Sequence, residues 1–506
     1  IRFISAAALF DGHDASINII RRILMSAGAE VIHLGHNRAV DEVAIAAIQE
    51  DVQGVAISSY QGGHVEYFEF LRQSLDERGG THIQVFGGGG GVIIPEEIAR
   101  LTGRAVHRIY TPEDGRLMGL QGIIEDMLRA TDFDPSVQPP DLPPDSFRAT
   151  AAAISALEKG QRLTLRPRTS PVLGITGPGG AGKSSLCDEL VLRLLEHNPD
   201  LRIAILAVDP TRPKSGGALL GDRIRFNSLT LFPDRLYFRS LATRGVDVST
   251  SPILSSACDL LSWAGYDLII VETGGTGQAD AAIVPLCDFT MYVMTPEFGA
   301  PSQLEKIAML DYANLVAVNK VDKSGSLDAL DYVRKQLQRN QSAFQEPLDR
   351  LPVFPTTASR FHDGGVDALS RALCELLPLN LNSIPRGLDR PPAELLPAAR
   401  RRYLSEIAER LRNYRRDSLT MAERANLVEA LRLAANGSSE QTARELKERM
   451  EKEEGALDPE LRAWLSAWPQ KKAELSGERT RYKVREEWIE QALQFSSLAG
   501  LRIPIV

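Results

Sequence analysis

Cysteine is scarce in this chain. The 506 residues hold four, Cys187, Cys258, Cys287 and Cys374, far apart and with no CxxC pair. That excludes a disulfide framework or a cysteine zinc site, and it predicts a reducing, cytoplasmic setting. An excess of one charge is also missing. Lys and Arg number 58 against 66 Asp and Glu, a net charge of −8, which gives no support to a nucleic-acid-binding surface. No apolar run approaches the roughly 18 residues of a membrane span. No secretory signal is visible, and Ile1 in place of Met predicts a trimmed N-terminus. Gly and Pro, 40 and 29, stay near ordinary usage, so collagen-like and globally disordered chains are excluded. The length predicts about three to five domains.

The first stretch alternates short apolar runs with helical patterns. Strands are predicted at Arg2–Phe10, Glu30–Leu34, Gly54–Ser58, Ile83–Phe86 and Val106–Tyr110, with helical spacing between them. Repeated β-then-α units imply an α/β domain over residues 1–133, a doubly wound parallel sheet of five strands whose ligands sit beyond the carboxyl ends. Residues 134–147 contain Pro135, Pro139, Pro140, Pro143 and Pro144 and read as a semi-rigid linker. A second α/β series occupies 148–384, with predicted strands Val172–Ile175, Arg202–Val208, Leu236–Ser240, Asp267–Val271, Thr290–Met294, Leu315–Val318 and Val353–Pro355. Residues 385–506 read as a charged helical arm. Leu404, Ile407 and Leu411 share one helix face, Asn436-Gly437 marks a helix stop, and Trp464, Trp468 and Trp488 await partners.

The strongest motif is Gly177-Pro178-Gly179-Gly180-Ala181-Gly182-Lys183-Ser184. It fits GxxxxGK[ST], follows a predicted strand and precedes a helix starting near Ser185, which is the setting of a phosphate-binding P-loop. Backbone N–H groups of Gly179, Gly180, Ala181, Gly182, Ser184 and Ser185 can close around phosphates. Lys183 would reach the β- and γ-phosphates and the Ser184 hydroxyl would bind Mg²⁺. Asn319-Lys320-Val321-Asp322 ends a strand and matches NKxD. The Asp322 carboxylate can accept from guanine N1–H and the 2-amino group, a donor pair adenine lacks, so GTP is favoured over ATP. Ala358 or Ser359, after the next strand, could donate a backbone N–H to guanine O6. Mg²⁺ needs further hard oxygens, and Asp209, Asp222 and Glu272 follow or end strands. The Gly-rich segment Glu272-Thr273-Gly274-Gly275-Thr276-Gly277-Gln278 is a switch candidate, and Gln278 could orient the attacking water.

These segments, with Asp209-Pro210 and Gly216-Gly217-Ala218-Leu219-Leu220-Gly221-Asp222-Arg223, resemble the G-protein chaperones of methylmalonyl-CoA mutase, metallochaperone-type P-loop GTPases. The resemblance implies Mg²⁺ contacts at Ser184, Asp209, Asp222, Glu272 and Thr273, and a nucleotide contact from Arg225. It puts Lys183, Glu272 and Gln278 forward as catalytic residues and Glu297–Lys306 as a further switch. Asp209-Pro210-Thr211-Arg212-Pro213 departs from the serine-rich version common in that group.

The first domain carries Asp11-Gly12-His13-Asp14 after its first strand. A lone histidine on such a loop is ordinarily a polar surface residue. Here Asp11 is placed to hydrogen-bond the ring and orient it as a metal ligand. Ser58-Ser59-Tyr60 ends another strand, and the run Gly87–Gly91, including Gly88 and Gly89, ends a third, where missing side chains admit a bulky ligand. These pieces resemble the cobalamin-binding domain of adenosylcobalamin mutases, patterned DxHxxG, SxL and GG. Ser16 stands where that pattern has Gly, and Tyr60 where it has Leu. The resemblance implies His13 as lower axial cobalt ligand, with Ser58 and the glycines around the displaced nucleotide tail.

Cobalamin domain, linker, GTPase and helical arm in one chain resemble the fused isobutyryl-CoA mutase family. That resemblance implies adenosylcobalamin, Mg²⁺ and GTP, a homodimer, an adenosyltransferase as cofactor donor, and interconversion of isobutyryl-CoA and n-butyryl-CoA by a radical opened at the Co–C bond. The acyl-CoA would bind a (β/α)₈ barrel for which no eight-fold series is present, so these 506 residues alone are expected to hydrolyse GTP without mutase turnover. Two alternatives remain open in the sequence. One is a stand-alone delivery chaperone for a separate methylmalonyl-CoA-type mutase subunit. The other is a corrinoid methyl-transfer protein, which leaves the GTPase unexplained.

Overall fold

Short Val-, Ile- and Ala-rich runs that are buried on both faces demand helices above and below them, and this requirement shapes most of the chain. The computed structural model describes residues 1–134, 146–212, 214–244, 251–275, 280–299, 301–323, 325–384, 403–484, 487–497 and 500–504. It divides into two units, Ile1–Pro392 and Ala393–Val506.

The strands of the first unit are Arg2–Ala8 (β1), Glu30–Arg38 (β2), Gly54–Ser58 (β3), Gln84–Gly88 (β4), Arg108–Tyr110 (β5), Val172–Thr176 (β6), Ile203–Asp209 (β7), Ala218–Leu220 (β8), Leu236–Ala242 (β9), Leu268–Thr273 (β10), Phe289–Met294 (β11), Leu315–Asn319 (β12) and Val353–Thr356 (β13). They form two parallel sheets, ordered β5-β4-β3-β1-β2-β8 and β13-β12-β11-β6-β10-β7-β9. In the first sheet the order turns back between β1 and β3. The carboxyl ends of those two strands therefore flank the crevice where doubly wound sheets hold ligands.

The first sheet has six strands where five were expected. The sixth, β8, belongs in sequence to the GTPase series, yet Ala218, Leu219 and Leu220 pair with Glu30, Val31 and Ile32. Gly217 makes the approach possible, since a Cβ there would collide with the Met25 carbonyl. The helix Phe147–Glu158 starts at the end of the expected linker and packs on both the Val40–Gln49 and Leu254–Trp263 helices. Residues 135–145 of that linker lie outside the described residues. The two α/β domains thus form one body rather than two separate units.

A buried charged seam joins them at the amino ends of β1, β2 and β3. Arg2 bonds Glu30 at 2.7 Å and Glu158 at 3.1 Å. Arg239 bonds Glu158 at 2.6 Å, and Arg244 bonds Glu30 at 2.8 Å. Glu50, fully buried, accepts from the Ser240 N–H at 3.0 Å and hydroxyl at 2.9 Å and faces Arg223 at 3.4 Å. Buried charges survive only when paired and hydrogen-bonded in this way.

The second unit contains helices Tyr403–Asn436, Glu440–Gly455 and Pro459–Leu475. The first ends at Asn436, as the Asn-Gly stop predicts. Leu404, Ile407 and Leu411 are exposed, and Trp464 carries Lys471 over its ring at 4.2 Å. The arm is helical, as expected, as far as Leu475, and short strands follow. Arg479–Val484 (β14) pairs antiparallel with Glu487–Ala492 (β15), and Gln494–Ser496 (β16) with Arg502–Pro504 (β17). Arg479, Arg481 and Lys483 alternating with Thr480, Tyr482 and Val484 carry a two-residue period, which the charge-rich composition conceals. Among the described residues no helix is long and apolar enough to cross a membrane.

Candidate functional site

Two sites lie at the carboxyl ends of the two sheets. At the first, β1 ends in a tight turn that buries Asp11 completely while the His13 side chain stays 66% exposed. One carboxylate oxygen of Asp11 accepts from the His13 N–H at 2.8 Å and meets its Nδ1 at 2.9 Å. The other accepts from the Tyr60 N–H at 2.6 Å. Asp11 therefore ties the β1 loop to the β3 loop and fixes the imidazole. With Nδ1 donating to Asp11, Nε2 keeps its lone pair and has no partner among the described residues.

Beside this pair is a cavity of about 320 Å³ whose walls include Ser16, Ser58, Tyr60, Phe86 and Gly87 to Gly90. The sequence-predicted Ser58, Gly88 and Gly89 all line it. A Cβ on Gly89 would strike the Ser59 carbonyl, so bare backbone is required where β3 and β4 end. The Ser58 and Ser16 hydroxyls are buried without a hydrogen-bond partner. Unsatisfied buried hydroxyls in an otherwise apolar slot fit a flat, heteroatom-bearing group better than an empty core. Tyr60 connects the two parts, because its ring lines the cavity and tilts against the His13 ring at 5.5 Å. Those residues fit a corrinoid ligated by His13 with its nucleotide tail in the cavity.

At the second site β6 runs into the P-loop, where Gly177, Gly180 and Gly182 take φ of 144°, 77° and 91°. Ser184 and Ser185 sit in the first turn of the helix Lys183–His197, at its positive end. Lys183 is folded back, donating to the carbonyls of Gly177 at 2.8 Å and Pro178 at 3.2 Å. Gly179 and Gly275 abut, and a Cβ on Gly275 would stand 2.7 Å from the Lys183 Nζ. The switch candidate thus begins on the phosphate cradle itself. Thr276, Gly277 and Gln278 lie outside the described residues, as does Ala300 in the Glu297–Lys306 segment. Glu297 there is paired with Lys323 and accepts from the Thr295 hydroxyl at 2.6 Å. Lys323 and then Thr295 hold its carboxyl below the ordinary value.

Ser184 Oγ donates to Glu272 at 2.7 Å and lies 3.3 Å from Asp222, which Arg225 also engages. Asp209 and Glu272 each keep one buried carboxylate oxygen unpartnered. Burial first, and then the neighbouring Asp222 charge, push both carboxyls well above their ordinary values. A divalent cation would relieve that repulsion. No closed cluster of three ligating side chains exists among the described residues, and Mg²⁺ at a P-loop needs none, since phosphate and water oxygens fill most of its shell. The Ser184 hydroxyl, with the carboxylates of Asp209, Asp222 and Glu272 acting directly or through bound water, is the kind of oxygen set that Mg²⁺ would take. The Thr273 hydroxyl, also expected at Mg²⁺, donates to Thr176 on β6 at 2.8 Å, on the face that strand alternation turns away from Glu272.

The base end is arranged around Asn319. Its amide donates to the Ala181 carbonyl at 2.9 Å, and its oxygen accepts from Thr356 at 3.2 Å and from the Ala358 N–H at 3.1 Å. Lys320, at φ of 63°, donates to the Gly180 carbonyl at 2.6 Å. Both residues brace the P-loop, while Asp322 is exposed and open to a base. Of the two backbone donors expected for guanine O6, the Ala358 N–H donates to Asn319 in this structure. The Ser359 N–H is the donor left over. Sequence reading missed Asp188, whose carboxylate caps Asn227 and Ser228 at 3.0 and 2.9 Å, and Arg223, which is buried in the seam. The adjacency of Arg223 to Asp222 was the available signal.

The chain is similar in sequence to known proteins. Residues 1–121 match the B12 binding domain family, and residues 150–379 match the family described as methylmalonyl Co-A mutase-associated GTPase MeaB. The fused isobutyryl-CoA mutase of Geobacillus kaustophilus is 46% identical, aligning with 100% of this chain and 49% of its own length. That of Nocardia farcinica is 50% identical over 100% and 49%, and that of Cupriavidus metallidurans 46% over 99% and 48%. The chain spans about half the length of the curated relatives it matches.

Proposed function

We propose that this chain, a homologue of fused isobutyryl-CoA mutases along its whole length with a B12-binding domain joined to a MeaB-type GTPase domain, binds adenosylcobalamin through His13 and hydrolyses GTP at Lys183 and Ser184. The carrying observation is the Asp11–His13 pair beside a cavity with two orphaned hydroxyls, in one body with a P-loop. When bound, adenosylcobalamin supplies a Co–C bond that breaks homolytically, and that chemistry is the cofactor's. Asp11 holds the His13 Nδ1 proton and so presents Nε2 to the metal. Ser58 and Ser16 accept or donate to the tail, and Gly88 and Gly89 give it room. At the other site Ser184, Asp209, Asp222 and Glu272 hold Mg²⁺, Lys183 turns from its loop carbonyls to the phosphates, and Asp322 reads guanine. Arg225 reaches the nucleotide, and Gln278 orients water.

In this reading residues 1–133 form the cobalamin domain, 148–384 the GTPase and 385–506 the arm toward a substrate domain. The described residues form no (β/α)₈ barrel. Isobutyryl-CoA and n-butyryl-CoA interconvert only when such a domain is present, and the GTPase gates cofactor loading. A homodimer, an adenosyltransferase donor and a cytoplasmic setting complete the proposal. The test is nucleotide turnover by the chain with Mg²⁺. Asp322→Asn is expected to move preference from GTP to xanthosine triphosphate, and an unmoved preference removes Asp322 as the base reader.

A further inference from the structure

The turn that carries Asp222 belongs to the GTPase by function but is fastened to the other domain. Before it, β8 is a strand of the cobalamin-domain sheet. Within it, Asp222–Arg225 is a single 3₁₀ turn whose side chains part in two directions. Asp222 and Arg225 reach Ser184 at 3.3 and 3.4 Å. Arg223 goes the other way, 5% exposed, and donates to Gln49 Oε1 at 2.6 Å and to the Phe238 carbonyl at 3.0 Å, with Glu50 at 3.4 Å. Ile224 presses on the backbone of β2, where a Cβ on Gly35 would stand 2.7 Å from its Cδ1. After the turn, Asp188 of the P-loop helix caps Ser228. A four-residue turn pinned on both flanks has little freedom of its own. Where Arg223 is held therefore sets where the Asp222 carboxylate stands.

We propose that Gln49 and Glu50 of the cobalamin domain are positioning residues for the magnesium site of the GTPase, acting through Arg223. The inference rests on reading Asp222 as a Mg²⁺ contact. It adds that the metal shell of one domain is completed by outer partners from the other. Gln49 supplies the short bond that aims the guanidinium, and Glu50 supplies the charge that makes its burial tolerable. Changes at the carboxyl end of the Val40–Gln49 helix in the cobalamin domain then register as changes in metal affinity through Arg223, 173 positions after Glu50.

The test titrates Mg²⁺ into the full chain loaded with a fluorescent GDP analogue and follows nucleotide release. Gln49→Met removes the 2.6 Å acceptor and leaves Glu50 in place. Its Mg²⁺ midpoint is expected to rise about 10-fold, the low end of what losing an outer partner costs a metal site, while affinity in chelator stays at the wild-type value. Arg223→Lys keeps the charge opposite Glu50 and gives a smaller shift the same way. Ser155→Ala removes a bond from Arg239 in the same seam without touching Gln49, Glu50 or the turn, and its midpoint stays put. An unmoved midpoint in folded Gln49→Met and Arg223→Lys overturns the inference. So does a shift of equal size in Ser155→Ala, which would mean general loosening. A wild-type chain whose nucleotide release ignores Mg²⁺ overturns the magnesium reading itself, a separate and recognisable result.

Discussion

The two ends of the cobalamin-domain sheet are built on opposite principles. At the amino ends of its strands, charged groups are buried and paired, with Arg2, Glu30, Glu50, Arg223 and Arg239 interlocked across two domains, although two Arg239 nitrogens stay without a partner. At the carboxyl ends, small residues surround a cavity and two hydroxyls are left unmatched. The first arrangement commits its carboxylates and guanidinium groups to ion pairs that hold the body together, and the second leaves hydroxyls for a ligand. Stability and binding should therefore respond to different substitutions.

The largest expected effect breaks the matched end. Glu50→Ala leaves Arg2 and Arg223 facing a void, and losing one partner of a buried pair costs about 3–5 kcal/mol. Urea unfolding should show a fall of that size, and a loss under 1 kcal/mol, on the order of an exposed pair, would place the seam in solvent. Acid probes the same end more gently. Burial alone would raise the Glu30 carboxyl, but the Arg2 charge, with Arg244, outweighs it and holds the group below its ordinary value. A depressed carboxyl contributes stability that is present above its unfolded value and is lost on acidification. Melting temperature should therefore fall as pH drops from 4.5 toward about 2, and Arg244→Ala should shrink that slope.

The smallest effect on stability belongs to the ligand end. Ser58→Ala removes an orphaned hydroxyl, so unfolding free energy should hold or rise by up to about 1 kcal/mol. Cobalamin affinity, measured by fluorescence quenching, should fall in the same protein. A stability loss without an affinity change would make Ser58 a core residue and erase the contrast.

The sequence discloses the ligand ends better than the seam. The P-loop, NKxD and Asp11–His13 are legible because each site gathers residues adjacent in the chain, and the strand-then-loop context places them. The seam is made of residues such as Arg2, Glu50, Glu158 and Arg239, which are far apart in the chain and individually ordinary. Nothing local in Ala218-Leu219-Leu220 says that the strand it forms lies in another domain's sheet. Thr273 and Ala358 make a related point: a tetrapeptide names a residue, while the fold decides its partners, here Thr176 and Asn319.

The central claim is that the unmatched end holds a corrinoid through His13, and the absorption spectrum of cobalamin on the chain tests it most directly. Wild type is expected to show the tail-displaced, histidine-ligated spectrum, and His13→Ala to lose it while melting at the same temperature, because that side chain is 66% exposed. Identical spectra from the two proteins would contradict the account.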